Sequence, residues 1–302
     1  MRWRKKGLVY APAGHGWARS HGHLPTIDPT VTETLRVYFT GLDENNYGRI
    51  GFADLDRGDP GRILSVSPEP VLDLGELGAF DDCGVVASCI LEFNGKTHLY
   101  YHGFQRTARV PYLLFTGLAV AEPGSTKFVK HSQVPVLDRI DGDPFIRAAP
   151  CVIRDGDLLK MWYVSCAHWS EQNGGLQYRC NIRYATSHDG VAWKSSDRVC
   201  LEPEGEDEYA VGRPWVLREA GLYRMWYSRR GVREPYQMGY AESADGLAWE
   251  RKDELVGISK SAAGWDSEMV CYPCVADVAG RRLMFYNGNR RGANGFGYAE
   301  LD

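Results

Sequence analysis

The sequence predicts an all-β fold, a five-bladed β-propeller with four strands in each blade. Three observations predict it. One pattern of strands and turns recurs five times along the 302 residues. The apolar runs are short, broken by Gly, Asp and Asn, and show no 3.6-residue stripe, which argues for strands rather than helices. The last copy of the pattern stops one strand short, while the first residues read like the strand it lacks. Repeated four-stranded sheets around an axis make a propeller.

The clearest copy covers residues 222–253. It runs from an aromatic strand (Met225-Trp226-Tyr227) through a loop to a second strand (Gly239-Tyr240-Ala241). A Ser-x-Asp-Gly turn (Ser243 to Gly246) and a segment led by Trp249 follow. The aromatic strand returns as Val37-Tyr38-Phe39, Leu99-Tyr100-Tyr101, Met161-Trp162-Tyr163 and Met284-Phe285-Tyr286. The alanine of the second strand returns at 53, 119, 185, 241 and 299. Each unit also has a leading apolar strand, usually containing proline, marked by Pro25, Ser88, Pro150, Pro214 and Pro273. The final unit ends at Asp302 after its third strand, and Trp3 to Val9 resembles the Trp-led fourth strands at Trp193 and Trp249. The expectation is a ring closed by the N-terminal strand within a single domain, residues 1–302.

Composition sets further bounds. Charged residues are 25% and the formal net charge is −4, which favours neither disorder nor a nucleic-acid-binding charge. The apolar runs are far shorter than the ~20 residues that cross a bilayer, and the basic start MRWRKK lacks a signal-peptide core. A cytoplasmic protein with no membrane or nucleic-acid partner is expected, its oligomeric state open. The eight cysteines are dispersed and several stand where small apolar residues would, so buried free thiols are expected over disulfides. Cys271 and Cys274 have no second pair at zinc spacing. No Rossmann, P-loop or nucleophilic-serine motif occurs.

In a propeller the innermost strands start at the mouth of the central funnel, and the loops between second and third strands return to that face, where ligand sites form. Blade one brings His21 and His23, two apart and so on one side of a strand, as hydrogen-bonded wall residues, an acid or base, or metal ligands. No cofactor is expected. Asp81, Asp143, Asp207 and Asp266 each stand seven residues before the strand proline or its Ser88 equivalent; a position repeated in four blades is a turn or cap rather than a catalyst. That leaves Asp82, Arg147, Arg213 and Glu268. Asp82 and Glu268 are the candidate acid/base pair, with His21 able to replace either. His23, Arg147, Trp169, Arg213, Arg229, Arg230, Asn287, Asn289 and Arg290 are the candidate substrate-binding residues. The many arginines of the mouth loops, Arg291 among them, suit a carboxylate or phosphate, and Trp169 suits the face of a sugar ring.

These features resemble the five-bladed propellers of glycoside hydrolase families 43 and 32 over essentially the whole chain. The resemblance is carried by the five units, the Met-Trp-Tyr strands and the turns Ser187-x-Asp189-Gly190-x-x-Trp193 and Ser243-x-Asp245-Gly246-x-x-Trp249. The segments His21-x-x-x-Pro25, Phe80-Asp81-Asp82, Trp265-Asp266-Ser267-Glu268-Met269 and Tyr286-Asn287-Gly288-Asn289 resemble glycosidase-like proteins of surface-polysaccharide genes. The resemblance implies cleavage or transfer of a glycosyl group on a polar or anionic saccharide. A carbohydrate-binding propeller and a phosphate-using phosphorylase are the alternatives. Such hydrolases carry acidic residues in blades one, two and three. Here Asp82 fits the blade-two place, histidines stand in blade one and Arg147 in blade three.

Overall fold

The computed structural model describes residues 1–172 and 175–302. Twenty strands carry nearly all of its regular structure. In chain order they are β1 (Trp3–Tyr10), β2 (Ser20–Ile27), β3 (Leu35–Leu42), β4 (Gly48–Leu55), β5 (Ile63–Val66), β6 (Val85–Phe93), β7 (Lys96–Arg106), β8 (Tyr112–Ala121), β9 (Val129–Lys130) and β10 (Ile146–Asp155). Then come β11 (Leu158–Gln172), β12 (Gly175–Ser187), β13 (Lys194–Leu201), β14 (Glu208–Glu219), β15 (Leu222–Gly231), β16 (Gln237–Ser243), β17 (Glu250–Arg251), β18 (Cys271–Val278), β19 (Arg281–Asn287) and β20 (Phe296–Leu301).

Antiparallel pairing groups these strands by fours, β2 to β5 first and β6 to β9 next. β10 to β13 and β14 to β17 follow in the same way. The last sheet has the order β1-β20-β19-β18, with Trp3 opposite Leu301. Short parallel contacts join the second group to the third, at Ile146 and Leu114, and the third to the fourth, at Cys180 and Ala210, so those twelve strands form one continuous sheet.

The second strand of each group is buried on both faces, so its middle residues are continuously apolar instead of alternating. Trp162, Trp226, Tyr101, Tyr163 and Phe285 are all fully buried. Burying each such ring stabilises the fold by roughly 1.5–3 kcal/mol, and the rings pack between neighbouring groups.

The Ser-x-Asp-Gly turns latch one group to the next. Ser187 and Asp189, and likewise Ser243 and Asp245, hold the turn through their oxygens. Gly190 (φ +77°) and Gly246 (φ +78°) take the left-handed backbone that closes it. The Gly190 carbonyl accepts the Tyr100 hydroxyl at 2.7 Å, and the Gly246 carbonyl accepts Trp162 Nε1 at 2.8 Å. Both donors come from the preceding group.

The four repeated aspartates bond within their own groups. Asp81 accepts from Tyr101 at 2.8 Å and pairs with Lys130, and Asp266 accepts from Tyr286 at 2.9 Å and pairs with Lys5. Asp143 pairs with Arg183 and accepts from Ser165. In the fourth group Tyr227 turns to Asp253 instead, and Asp207 holds Arg233.

All eight cysteines are free thiols and seven are buried. Three join the first strand of one group to the first strand of another. The sulfurs of Cys89, Cys151 and Cys274 accept the N–H groups of Val152, Val216 and Ile27 at 3.2 to 3.3 Å. The last contact sets β18 against β2, the final group beside the first.

Candidate functional site

A bulge shapes the floor of the central cavity. In every innermost strand the pairing register shifts at the repeated proline position, between Ala148 and Cys151, between Gly212 and Trp215 and at the equivalent places in β2, β6 and β18. Proline donates no N–H to a ladder, so bulges are where sheets tolerate it. The residue before each proline is driven to positive φ: Leu24 (49°), Ala149 (49°), Arg213 (51°) and Tyr272 (59°). Such a backbone costs about 1–3 kcal/mol at each non-glycine position. It also re-aims the side chain, and all four residues line the cavity.

The cavity has a volume of about 490 Å³, within the range of small-molecule sites. Its wall carries Arg106, Arg213, Arg230 and Arg291, the histidines His21, His23 and His102, and the tyrosines Tyr112, Tyr178, Tyr236 and Tyr272. No aspartate or glutamate lines it among the described residues.

Arg213 is buried on the floor. It donates to the Ser88 carbonyl and to the Thr26 hydroxyl at 3.1 Å, so one guanidinium clamps three innermost strands. Burial pulls its pKa below the ordinary arginine value. Arg230 rises from the end of β15 among three tyrosines, 5.6 Å from the Tyr178 ring, 5.3 Å from Tyr209 and 5.1 Å from Tyr236, and it donates to the Tyr178 hydroxyl. The Tyr236 and Tyr272 hydroxyls meet at 2.9 Å, and the Tyr272 ring stands edge-on to His23 at 4.9 Å. Burial raises the pKa of both tyrosines, so they remain protonated.

The histidines are neutral. Burial first, then the Arg291 and Arg290 charges, lowers His21 to about 4. Burial, then Arg213, lowers His102 to about 3, and its Nδ1 lies 3.1 Å from the Ser88 hydroxyl. Burial holds His23 well below its ordinary value. His23 Nδ1 lies 2.8 Å from the Arg291 carbonyl oxygen. A carbonyl only accepts, so Nδ1 carries the hydrogen and Nε2 is left as an acceptor.

The structure therefore brings together His21, His23, Arg213 and Arg230 of the expected site and leaves the others apart. Asp82 accepts the Gly78 N–H at 3.0 Å, its carboxylate turned back into its own turn, although the next residue, Cys83, reaches the cavity. Glu268 is exposed, its backbone N–H held by Asn289 Oδ1 at 2.7 Å. Neither is among the residues that line the cavity, whereas His21 and Arg213 are. Arg147 is 3% exposed and spends its donors on Asp138, Tyr163 and Ser195. Asn287 clamps β19 to the first group, accepting the Leu24 N–H and donating to Gly22 and Gly295. Asn289 secures the turn at Gly264 and Ser267. Arg229 pairs with Glu208 and Asp253 on the other side of β15, Arg290 is exposed beside Asn294, and Trp169 packs edge-on against Tyr112 and Tyr178 as part of the outer wall.

His102, Tyr178 and Tyr272 were not among the candidates. Two of them had a signal in the repeat. Tyr272 precedes its proline as Arg213 does, and His102 follows an aromatic strand triplet as Val164 and Ser228 do, both of which also line the cavity. Among the described residues no group of three or more His, Cys, Asp or Glu is placed to hold a metal ion, and no helix is long and apolar enough to cross a membrane.

This is the β-propeller fold of the glycosidases. A solved glycoside hydrolase superposes with a TM-score of 0.80, covering 99% of this chain and 91% of its own, at 17% identity. A thermostable family-43 glycoside hydrolase superposes with a TM-score of 0.67 over 97% and 92% at 18% identity. A structure from work on the GH130 family of mannoside phosphorylases, said to contain glycoside hydrolases that target β-1,2 mannosidic linkages, gives 0.72 over 99% and 93% at 13% identity. No family model matches the chain. It is 41% identical over 303 residues, all of both chains, to the uncharacterised protein Rv1502 of Mycobacterium tuberculosis strain H37Rv, and equally to the uncharacterised protein MT1551 of strain CDC 1551. The chain belongs to the family of these mycobacterial proteins.

Proposed function

We propose that this chain is a single five-bladed propeller, closed by β1 beside β20, whose central cavity binds an anionic saccharide. The pairing by fours, the β1 to β20 ladder and the contact of β18 with β2 support the architecture. The ligand class rests on one observation: a saccharide-sized cavity lined by four arginines, neutral histidines and protonated tyrosines with no carboxylate. Guanidinium groups without protein counter-ions suit an anionic ligand. The hydroxyls and His23 Nε2 supply the remaining polar contacts that a sugar needs.

Calorimetric titration of the intact chain with glucuronic acid, glucose 6-phosphate and glucose tests it. Binding of at least one anionic sugar in clear preference to glucose is expected. Equal binding of glucose, or none of the three bound, defeats the reading.

Glycosyl cleavage is the second reading, favoured by the hydrolase fold. Glycosidic cleavage ordinarily uses two carboxyl groups across the bond, and Asp82 and Glu268 lie outside the cavity lining. Turnover of aryl glycosides abolished by both Asp82→Asn and Glu268→Gln would restore it.

A further inference from the structure

We infer that the anionic group taken up in this cavity is a phosphoryl group carried on a sugar, seated between Arg230 and Arg291. The inference rests on the anionic-saccharide reading and narrows it to one ligand class. The two arginines come from adjacent groups, one at the end of β15 and one in the turn after β19. A continuous run of contacts links them. Arg230 lies over Tyr236, whose hydroxyl meets that of Tyr272. The Tyr272 ring then packs on His23, which donates to the Arg291 carbonyl.

Charge balance selects the ligand. Among the described residues neither guanidinium has a carboxylate partner, whereas Arg229, next to Arg230 in sequence, faces both Glu208 and Asp253. The histidines and tyrosines between them are neutral, so the two positive charges stand uncompensated and close enough to oppose one another. A phosphomonoester brings about −1.5 to −2 at neutral pH and three acceptor oxygens. A uronate brings a single charge on two oxygens in one plane. Two guanidiniums approaching from different groups, with the Tyr236 and Tyr272 hydroxyls between them, match the former. The volume of about 490 Å³ is far larger than a free anion fills, and the aromatic wall with His23 Nε2 gives the sugar a face and a hydroxyl partner.

The test is calorimetry on the intact chain with glucose 1-phosphate, glucose 6-phosphate, inorganic phosphate, glucuronic acid and glucose. At least one sugar phosphate should bind roughly tenfold or more tightly than glucuronic acid. Arg291→Gln should weaken it by roughly tenfold or more, the loss of one charge-assisted contact. Arg290→Gln, exposed one residue away and acting on His21 only through its charge, should weaken it by no more than about twofold. Arg230→Lys, which keeps the charge but not the planar fork, should also weaken binding in a chain that still melts cooperatively. If glucuronic acid binds as tightly as the sugar phosphates through Arg291, the phosphoryl assignment is overturned and the anionic-saccharide reading stands. If inorganic phosphate binds as tightly as its sugar esters, the sugar is not part of the ligand and the inference falls. If no anion binds, both readings fall together.

Discussion

Arg229 and Arg230 are adjacent on β15 and leave it on opposite faces. Arg230 enters the cavity among Tyr178, Tyr209 and Tyr236, and Arg229 reaches Gln237, Glu208 and Asp253 outside it. Alternation along a strand requires this split. Arg230→Gln should therefore weaken binding of an anionic sugar by roughly tenfold or more, while Arg229→Gln should leave affinity within about twofold, since exposed or partly exposed ion pairs act mainly locally and weakly. Parallel titrations of the two variants decide it, and equal losses would break the assignment of faces.

The Trp162 latch gives a stability prediction. Trp162→Phe keeps most of the buried ring but leaves the Gly246 carbonyl without that donor, at a cost of about 1–3 kcal/mol. Trp249 Nε1 also donates to this carbonyl, at 3.0 Å, which places the expected loss at the lower end. Urea denaturation should show a lower midpoint with an unchanged slope. A midpoint equal to the parent's would mean that the latch contributes nothing.

His102 sets part of the acid sensitivity. Burial, then the Arg213 charge, lowers its pKa to about 3 in the folded chain, against 6.5 for the free side chain. Above 6.5 both states are neutral and the group has no effect. Below it the unfolded chain takes up the proton first, so stability falls with pH until the folded pKa is reached. The loss is at most about 1.4 kcal/mol per pH unit, or about 2 kcal/mol between pH 6.5 and 5. His102→Asn should flatten the Tm profile over that interval, and a variant profile as steep as the parent's would assign the sensitivity elsewhere.

Removing residues 1–10 should uncover the edge of β20 and take away the Lys5 partner of Asp266. An exposed edge strand pairs with other chains, so the shortened protein should aggregate in light scattering at concentrations where the full chain stays monodisperse. Unchanged melting and scattering would refute the closure by β1.

The repeat was legible in the sequence because it reports local needs. The aromatic triplets mark strands buried on both faces, the Ser-x-Asp-Gly turns require a left-handed glycine, and three of the repeated aspartates accept the hydroxyls of Tyr101, Tyr163 and Tyr286. Each of these is a demand that a few neighbouring residues make on one another. The site was legible only in part. Arg213 was singled out because it does not repeat among the blade entries and His23 because it stands two residues from His21, but Asp82 and Glu268 were placed at the axis on their position in the chain alone. Alternation states that neighbours face opposite ways. Which way is inward depends on the bulges at Leu24, Ala149, Arg213 and Tyr272, because a shift of one residue exchanges the faces. It also depends on which side chains the fold consumes: Asn287, Asn289 and Arg147 have the chemistry of ligand contacts but are occupied in joining segments far apart in the chain. Local pattern determined the strands and turns. The tertiary structure decided which charges were left unpaired in the cavity, since pairing is settled by side chains that meet only after distant strands have packed.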